Sequence, residues 1–432
     1  MKILSIKAIA VFLAIFINEI FSQAQDINGR WNGVLSVQGM NLRLVFHINQ
    51  SGDEYTSTMD SPDQGAAGIP VTTTTFEGSK LSLAIPNLGV LYEGEFKTDS
   101  IVGTFRQGEM SVPMTLKRTQ EEIKSAARSQ EPKPPYPYRS EDITFENKTT
   151  DDVTLAGTLT MPATGSNFTA VILITGSGAQ NRDEEVAGHK PFLVTADFAA
   201  DAESAIEYLK TRKEINPQKI GLLGHSEGGV LAPMVAAQSK DVVFIVMLAG
   251  TGVRGDALFL LQQETLYRVL EVSEEQIADI IKLNTKIFDK IVSAEENLSQ
   301  QEITDFIATL KSDIVSGGMS MDNYNQFAVQ ISSPWMQYFM RYDPVQALEK
   351  VKCPVLAVNG SKDVQVPAKE NLPAISAALK KGGNNKMTVK EYPNLNHLFQ
   401  ECDTGSPNEY ATIEQTFSSD VLKKLSDWTL TH

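Results

Sequence analysis

Four short, continuous apolar runs in the second half of the chain constrain its fold more than any other feature. Runs of this kind suit strands that are buried on both faces, as in a parallel sheet. Stretches with helical periodicity separate them, so the pattern predicts strand–helix–strand units and an α/β fold class. The runs are 170–174, 220–223, 242–248 and 354–358.

The region before these runs has a different pattern. Between Leu42 and Ile48, apolar residues alternate with polar ones, interrupted only by Val45, which is typical of a half-buried strand. Similar β-rich runs follow between turn sequences, and no helical period competes with them. We therefore expect a small all-β barrel or sandwich over 25–119 that serves as an accessory domain. A structural role and a ligand-binding role both fit such a domain.

Residues 120–140 separate the two regions. The segment opens polar and ends in a proline-rich stretch, which predicts a stiff, extended linker. Immediately after it, 143–145 and 154–160 are predicted as the two strands of a hairpin. We expect a second domain over 141–432 that contains this hairpin and the four apolar runs.

An all-helical insertion is predicted between about 254 and 342, after the third apolar run. Ser273 with Gln276, and Ser299 with Glu302, have the spacing of helix-capping pairs. Apolar residues recur every three or four positions behind both caps, which indicates helices with one packed face. Because the insertion follows a core strand, we expect these helices to form a cap over the carboxyl edge of the sheet.

The first 24 residues have the pattern of a secretory signal peptide. Lys2 and Lys7 accompany the apolar stretch 8–17, and Ser22 and Ala24 supply the small residues of a cleavage site. The stretch is too short for a membrane span, which needs about 20 apolar residues. We therefore expect a secreted or periplasmic protein without stable membrane insertion.

Charge and cysteine content exclude some classes of protein. The chain of 432 residues has a formal net charge of −15, which disfavours binding to the phosphate backbone of nucleic acids. Its two cysteines, Cys353 and Cys402, are too few for a disulfide scaffold and lack metal-site spacing. The sequence leaves open whether they pair, and it predicts neither a metal nor a cofactor.

The segment Gly224–Gly228 fits the pattern G-x-S-x-G and directly follows the second apolar run. A helical segment of small residues comes after it. A sharp turn from strand to helix strains the central serine and leaves no room for side chains at the two glycines. The hydroxyl then projects at the edge of the sheet, above a helix N-terminus. Ser226 is therefore the candidate nucleophile.

A serine hydroxyl needs a neighbouring base, and the chain has five histidines. His397 lies in a turn after the strand-like segment 387–392, where the catalytic groups of α/β sheets collect. His189, in a polar loop, is the second candidate. His225 is expected to be structural, since it precedes the serine on the strand end and its side chain points the other way. The remaining two histidines lie in the front domain and at the last position.

The imidazole in turn needs a carboxylate that fixes its tautomer and stabilises its charged form. Asp363 follows the fourth apolar run after a short loop, again at a strand end. Three other acids do not end a strongly apolar strand in the required place: Asp343, Glu391 and Asp403. The resulting order along the chain is serine, aspartate, histidine.

Acyl transfer also needs backbone N–H groups that hold the developing oxyanion. One is expected from Glu227, directly after the serine. The other is expected from loop 175–178, where Ser177 is the preferred donor and Gly178 the alternative. A phosphate-binding loop is the competing interpretation of 175–178. However, no Lys-Ser/Thr pair follows, and the spacing differs from both glycine-rich phosphate-binding motifs, G-x-x-x-x-G-K-[ST] and G-x-G-x-x-G.

From about 141 to 432 the chain resembles secreted bacterial α/β-hydrolases, the serine esterases described as acetyl-xylan-esterase-like or serine-aminopeptidase-like. The resemblance implies Ser226, Asp363 and His397 as the catalytic triad and a helical cap after the sixth strand. It also implies hydrolysis of short-acyl esters, of small molecules or carbohydrates, without a cofactor. The matching stretches are ITGSGAQNRDE (174–184), KIGLLGHSEGG (219–229), CPVLAVNGSKDVQVP (353–367) and NLNHLFQ (394–400).

The chain departs from the family pattern near 194–196, where it has an internal deletion. After a stretch such as 188–194, family members continue with a helix, a core strand and a loop reading approximately DDRGxGxS. This chain passes directly to the helix that ends near Lys213. A strand–helix–strand unit takes about 30 residues, so 176–219 holds one crossover and not two. The fourth core strand and its loop are therefore predicted to be missing.

This loss has a physical consequence for the sheet. The 170–176 strand lacks its usual neighbour, so either the 143–160 hairpin moves in beside it or an apolar edge is exposed. We expect a protein that keeps the triad geometry but is less stable and less active than its relatives.

Ester hydrolysis through an acyl-enzyme is the leading hypothesis, and two alternatives stay open. Peptide hydrolysis at a free amino terminus would need an acidic anchor for the substrate ammonium, such as Asp183, Glu184 or Glu185. A protein with the hydrolase fold that binds without turnover is the other alternative, because the missing segment would disorder its pocket.

Overall fold

A computed structural model describes most of the chain from residue 26 onward. The predicted signal peptide, 1–24, lies outside the described residues, as does most of the polar start of the linker. The described ranges are 26–37, 40–52, 54–62, 66–107, 110–119, 129–150, 152–177, 182, 195–410 and 412–432.

The first sheet contains nine antiparallel strands, namely β1 (Gly29–Val37), β2 (Met40–Ser51), β3 (Glu54–Ser61), β4 (Ala66–Val71), β5 (Thr73–Glu77), β6 (Lys80–Ile85), β7 (Val90–Lys97), β8 (Ser100–Gln107) and β9 (Met110–Thr119). Their order is β4-β3-β2-β1-β9-β8-β7-β6-β5. Alternate residues point into one interior, where Trp31, Phe46 and Tyr92 are fully buried. The hydroxyls of Ser57 on β3 and Thr74 on β5 lie 2.5 Å apart, so the sheet curls until its end regions meet.

The next two strands form a sheet of their own. β10 (Tyr138–Glu146) and β11 (Thr154–Pro162) pair as an antiparallel hairpin, as the sequence predicts. The third sheet is parallel and contains β12 (Phe168–Ile174), β13 (Ile215–His225), β14 (Val242–Leu248), β15 (Val355–Gly360) and β16 (Met387–Tyr392). Its strands follow one another in chain order. All four apolar runs therefore lie side by side, and their carboxyl ends meet at one edge.

The helices cover both faces of the parallel sheet and form one large insertion. They are α1 (Thr195–Lys210), α2 (Gly228–Ala236), α3 (Gly255–Val269), α4 (Glu274–Val292), α5 (Gln300–Thr309), α6 (Lys311–Ser316), α7 (Met321–Ile331), α8 (Pro334–Arg341), α9 (Val345–Leu348), α10 (Ala368–Lys381) and α11 (Ser419–Thr429). Among the described residues, no helix is both long and apolar enough to cross a membrane.

Two hydrophobic cores fix the parallel sheet. On one face, Ile206 of α1, Val230 of α2 and Ile375 of α10 pack against the strands. On the other face, Val421 and Trp428 of α11 do the same. Because β14 is covered on both sides, its side chains are apolar throughout, which is the reason this run is continuous in the sequence.

Helices α3 to α8 lie between β14 and β15, where the sequence predicts a helical insertion. They share a core of their own, which includes Leu283, Ile307 and Ile331. The predicted caps are present: Ser273 Oγ accepts the N–H of Gln276, and Ser299 exchanges hydrogen bonds with the residue three positions on.

Strand β12, which precedes the short crossover, forms one edge of the parallel sheet. Within the described residues, β12 has β13 as its only strand neighbour, because the β10–β11 hairpin forms a separate sheet. Leu173, the penultimate residue of β12, is 72% exposed. The sequence allows either a hairpin beside β12 or an exposed apolar edge, and the structure has the exposed edge.

Candidate active site

Strand β13 turns into helix α2 through Ser226 and Glu227. Ser226 has a φ of +54°, in the left-handed region that residues other than glycine rarely adopt. Its N–H donates to the carbonyl of Leu248 at 2.8 Å, and its own carbonyl accepts from the N–H of Gly229 at 2.9 Å. Such a conformation costs on the order of 1–3 kcal/mol and persists only where the surroundings hold it. The strained turn predicted at this serine is therefore present.

The glycines of the motif allow this turn. A Cβ added to Gly224 would lie 1.9 Å from the carbonyl oxygen of Gly228, and one added to Gly228 would lie 2.2 Å from that of Ile174. Neither carbonyl can move freely, since both belong to the backbone of packed elements. The steric reason for glycine at both positions is thus visible in the fold.

Asp363 and His397 meet at the same edge of the sheet, after β15 and β16. Asp363 Oδ2 accepts a hydrogen bond from Nδ1 of His397 at 2.8 Å, and both side chains are buried. The other oxygen, Oδ1, accepts the backbone N–H groups of Gln365 and Val366, both at 2.9 Å. The carboxylate is therefore held in place, and it orients the imidazole with Nε2 directed away from it.

His225 supports the loop that carries His397. Its Nε2 donates to the carbonyl oxygen of His397 at 3.0 Å, and the two ring centroids are 4.8 Å apart. Burial, and then the neighbouring imidazole of His397, lowers the pKa of His225 to about 4. At neutral pH the ring is thus an uncharged donor. The sequence predicts a structural His225 whose side chain points away from the serine, and it gives no indication of this contact with His397.

Ser226 is connected to the Asp363–His397 pair through His225, the residue that precedes it in the chain. His225 contacts His397 directly, so the serine and the Asp363–His397 pair lie at the same carboxyl edge of the sheet. No hydrogen bond joins Ser226 Oγ to His397 among the contacts of the described residues. Such contacts are often long in the absence of substrate and shorten when it binds.

The two predicted oxyanion donors belong to segments that lie close to the serine. Glu227 is at the start of α2, where backbone N–H groups have no partner within the helix. Ser177 is an exposed residue three positions after β12. A Cβ added to Gly176 would lie 3.2 Å from Cβ of Ser226, so this loop passes close to the serine. The alternative donor, Gly178, lies outside the described residues, as do His189 and Asp183, Glu184 and Glu185.

The Glu227 side chain makes contacts that sequence reasoning missed. Its Oε1 accepts hydrogen bonds from Oγ1 of Thr195 at 2.6 Å and from Nε1 of Trp335 at 2.8 Å. The carboxylate is 5% exposed. Thr195 begins α1 and Trp335 lies in α8, and no motif links positions so distant in the chain. An acidic residue inside the buried G-x-S-x-G turn is the one signal that could have prompted a search for partners.

Cys353 and Cys402 are both free thiols, and burial raises the pKa of Cys353 to about 11. The described part of the chain contains no cluster of three or more histidine, cysteine, aspartate or glutamate side chains suited to a metal ion.

The part of the chain that contains these site residues is similar to known proteins. The family model "BAAT / Acyl-CoA thioester hydrolase C terminal" matches residues 202–402. That range contains the strained serine turn together with Asp363 and His397. This match supports the resemblance to α/β-hydrolases that the sequence motifs indicate.

Individual proteins that are similar to this chain are distant from it in sequence. Esterase EstD of Thermotoga maritima is 23% identical over 359 residues, which cover 74% of this chain and 76% of the esterase. The structure of the Pyrococcus furiosus esterase Pf2001 is similar with a TM-score of 0.41 and 12% identity, over 72% of this chain and 98% of that one. An acylaminoacyl peptidase of Pyrococcus horikoshii is similar with a TM-score of 0.40 and 13% identity, over 88% of this chain and 61% of the peptidase.

Proposed function

We propose that this α/β-hydrolase is a serine esterase that cleaves carboxylic esters with short acyl groups through an acyl-enzyme. One observation carries the proposal: a serine in a strained left-handed turn lies beside a buried aspartate–histidine pair at the carboxyl edge of a parallel sheet. Strain at a serine is tolerated where it serves a reaction, and a buried carboxylate bonded to Nδ1 prepares the opposite ring nitrogen to accept a proton.

The proposed reaction begins at the ester carbonyl. Ser226 Oγ attacks the carbonyl carbon while His397 Nε2 accepts the hydroxyl proton. The negative charge that forms on the carbonyl oxygen is held by the backbone N–H groups of Glu227 and Ser177. When the tetrahedral intermediate breaks down, the C–O bond to the alcohol is cleaved and His397 returns the proton to the leaving oxygen. Water then repeats the sequence on the acyl-enzyme and releases the acid.

Asp363 acts through His397 in this scheme. Its buried carboxylate favours the imidazolium that forms when the histidine takes the proton, and its two backbone hydrogen bonds keep it in one orientation. His225 is a positioning residue, because it holds the His397 backbone and stays uncharged at neutral pH.

The helical insertion is proposed to cap the site. Trp335 of α8 reaches the residue next to Ser226, which supports a position of this helix above the nucleophile. A cap of this kind excludes water and limits the size of the acyl group. The signal-peptide pattern supports export, and we propose a secreted or periplasmic enzyme whose nine-stranded sheet is an accessory domain.

Thioester hydrolysis is a second candidate, favoured by the description of the matching family. Esters and thioesters pass through the same acyl-enzyme, so the proposed residues serve both. The two differ in the leaving group, and acyl-CoA substrates also carry several phosphates, which an acidic protein attracts poorly.

Parallel assays test the proposal and separate its alternatives. We expect the purified protein to hydrolyse p-nitrophenyl acetate, and to act much more slowly on acetyl-CoA and on an aminoacyl-p-nitroanilide. The Ser226→Ala variant is the matched control for background hydrolysis. Faster cleavage of the anilide would support the peptidase alternative, and no turnover of any acyl donor would support the binding protein.

A further inference from the structure

A buried carboxylate directly after the proposed nucleophile calls for a physical explanation. The side chain of Glu227 is almost fully buried, and a carboxylate in such a place is unfavourable unless hydrogen bonds compensate for lost water. A negative charge near the proposed oxyanion position also opposes the charge that develops there. Ester hydrolysis itself therefore gives no reason for an acid at this position.

The hydrogen bonds of Glu227 give a reason. The Thr195 hydroxyl and the Trp335 indole N–H both donate to one oxygen, Oε1, and they come from two different segments of the chain. Thr195 begins α1, which packs on the sheet, and Trp335 belongs to the helical insertion. The carboxylate therefore ties the insertion to the serine turn. Hydrogen bonds to a charged acceptor are stronger than neutral ones, so a carboxylate suits this task better than an amide does.

Trp335 is held in one orientation. Its indole N–H is bonded to Glu227, and its ring stacks on Phe339 with centroids 5.6 Å apart and an interplanar angle of 28°. Phe339 is buried, and its backbone lies so close to α3 that a Cβ added to Gly255 would be 1.9 Å from its carbonyl oxygen. The indole itself is only partly buried. The ring is thus held in a fixed orientation and bonded to the residue that directly follows Ser226.

We propose that Glu227 fixes the indole of Trp335 over Ser226, and that this ring is the wall that limits the length of the acyl chain. The inference rests on the proposed function, since it concerns the acyl group that Ser226 would accept. The substrate class that fits is an ester of a short, unbranched carboxylic acid. Glu227 is a positioning residue for specificity, in addition to the proposed role of its backbone N–H.

The test compares p-nitrophenyl acetate, butyrate and octanoate in the parent and in Trp335→Ala. Each methylene in an apolar pocket changes kcat/KM about 10-fold or more, so removal of the ring should raise the octanoate-to-acetate ratio at least about 10-fold. The Trp335→Phe variant keeps a ring but loses the N–H, and it should shift the ratio in the same direction by less. Tyr338→Phe, one turn further along α8, is the matched control and should leave the ratio unchanged.

Glu227 variants test whether the carboxylate acts through the ring. The Glu227→Ala variant removes the acceptor and should shift the octanoate-to-acetate ratio as Trp335→Phe does. Glu227→Gln keeps an acceptor oxygen in the same place, so it should restore most of the parental ratio. If Glu227 had a purely structural role, Glu227→Ala would instead lower kcat/KM for all three esters equally. Glu227→Gln would then restore kcat/KM, and the octanoate-to-acetate ratio would be the same in all variants of this residue.

The outcomes separate this inference from the proposed function. If the parent hydrolyses the esters but the ratio in Trp335→Ala equals that of the parent, the inference is wrong and the esterase proposal stands. If the parent hydrolyses none of the three esters, both are overturned. The inference and the proposed function are both supported if the octanoate-to-acetate ratio rises in Trp335→Ala and in Glu227→Ala, and stays near the parental value in Glu227→Gln.

Discussion

His225 and His397 are joined by a hydrogen bond of 3.0 Å from a ring nitrogen of the first to the backbone carbonyl of the second. The residue before the proposed nucleophile therefore supports the loop that carries the proposed base. These two parts of the site come from the ends of strands β13 and β16, which are not neighbours in the sheet. Side-chain contacts across the intervening strand ends thus unite the site.

The first prediction concerns acid stability and His225. Its pKa is lowered to about 4 in the fold, whereas the unfolded chain protonates near 6.5, so the unfolded state binds more protons between these values. Stability therefore rises with pH across this window and is lost as the pH falls through it. At pH 4.5 the loss from this group is on the order of 2–3 kcal/mol. Urea unfolding at pH 4.5 and 7.5 measures it.

The His225→Gln variant keeps an N–H donor but removes the titration, so its unfolding free energy should depend less on pH. His432→Gln, at the end of the chain, is the matched control. An equal pH dependence in His225→Gln and the parent would contradict the prediction.

The second prediction concerns Asp363. Replacing it by asparagine keeps the shape but removes the charge and favours the wrong histidine tautomer, so kcat should fall by on the order of 10³–10⁴-fold. Asp343→Asn is the control, because Asp343 is an acid of the same kind that accepts the Val345 backbone N–H elsewhere in the fold. Ester hydrolysis by both variants, with circular dichroism to confirm folding, makes the comparison. Similar rates in Asp363→Asn and the parent would rule out this residue as the orienting acid.

The third prediction concerns the strain at Ser226. Glycine adopts a φ of +54° without strain, and alanine does not. Both Ser226→Gly and Ser226→Ala should be inactive, but the glycine variant should be more stable than the alanine variant by about 1 kcal/mol. Thermal and urea unfolding of the two variants test this directly. If alanine is as stable as glycine at this position, the turn is not strained.

The fourth prediction concerns the exposed edge of β12. Leu173 is 72% exposed on a strand that has one neighbour among the described residues, which favours association between edges. A lysine at this position should reduce concentration-dependent light scattering while ester hydrolysis stays near the parental rate. Leu430→Lys is the control, because that leucine is 83% exposed at the end of the last helix and not on a strand. Equal scattering by Leu173→Lys and the parent would contradict the prediction.

Much of the site was predictable because it follows from local rules. The G-x-S-x-G turn is encoded by residues within five positions of one another, and the apolar runs define the strands around it. Asp363 and His397 follow strands whose carboxyl ends must meet in a parallel sheet. Position in the chain was therefore enough to propose these two among several acids and histidines.

The contacts that the sequence did not reveal are those between distant segments. Glu227 and Trp335 are 108 positions apart, and their hydrogen bond depends on how the helical insertion packs in three dimensions. The contact of His225 with His397 spans 172 positions. The position of the β10–β11 hairpin was also undecided, because a hairpin that joins the sheet beside β12 and a hairpin that forms a separate sheet satisfy the same local pattern.

Active-site labelling followed by peptide mass spectrometry tests the central claim most directly. A fluorophosphonate reacts with a serine only when a neighbouring base activates it. We expect one adduct per chain, on the peptide that contains Ser226, no labelling of Ser226→Ala, and labelling of His397→Ala slowed by about 10²-fold or more. A parent protein that stays unlabelled, or an adduct on a different serine, would contradict the assignment of Ser226 as the nucleophile.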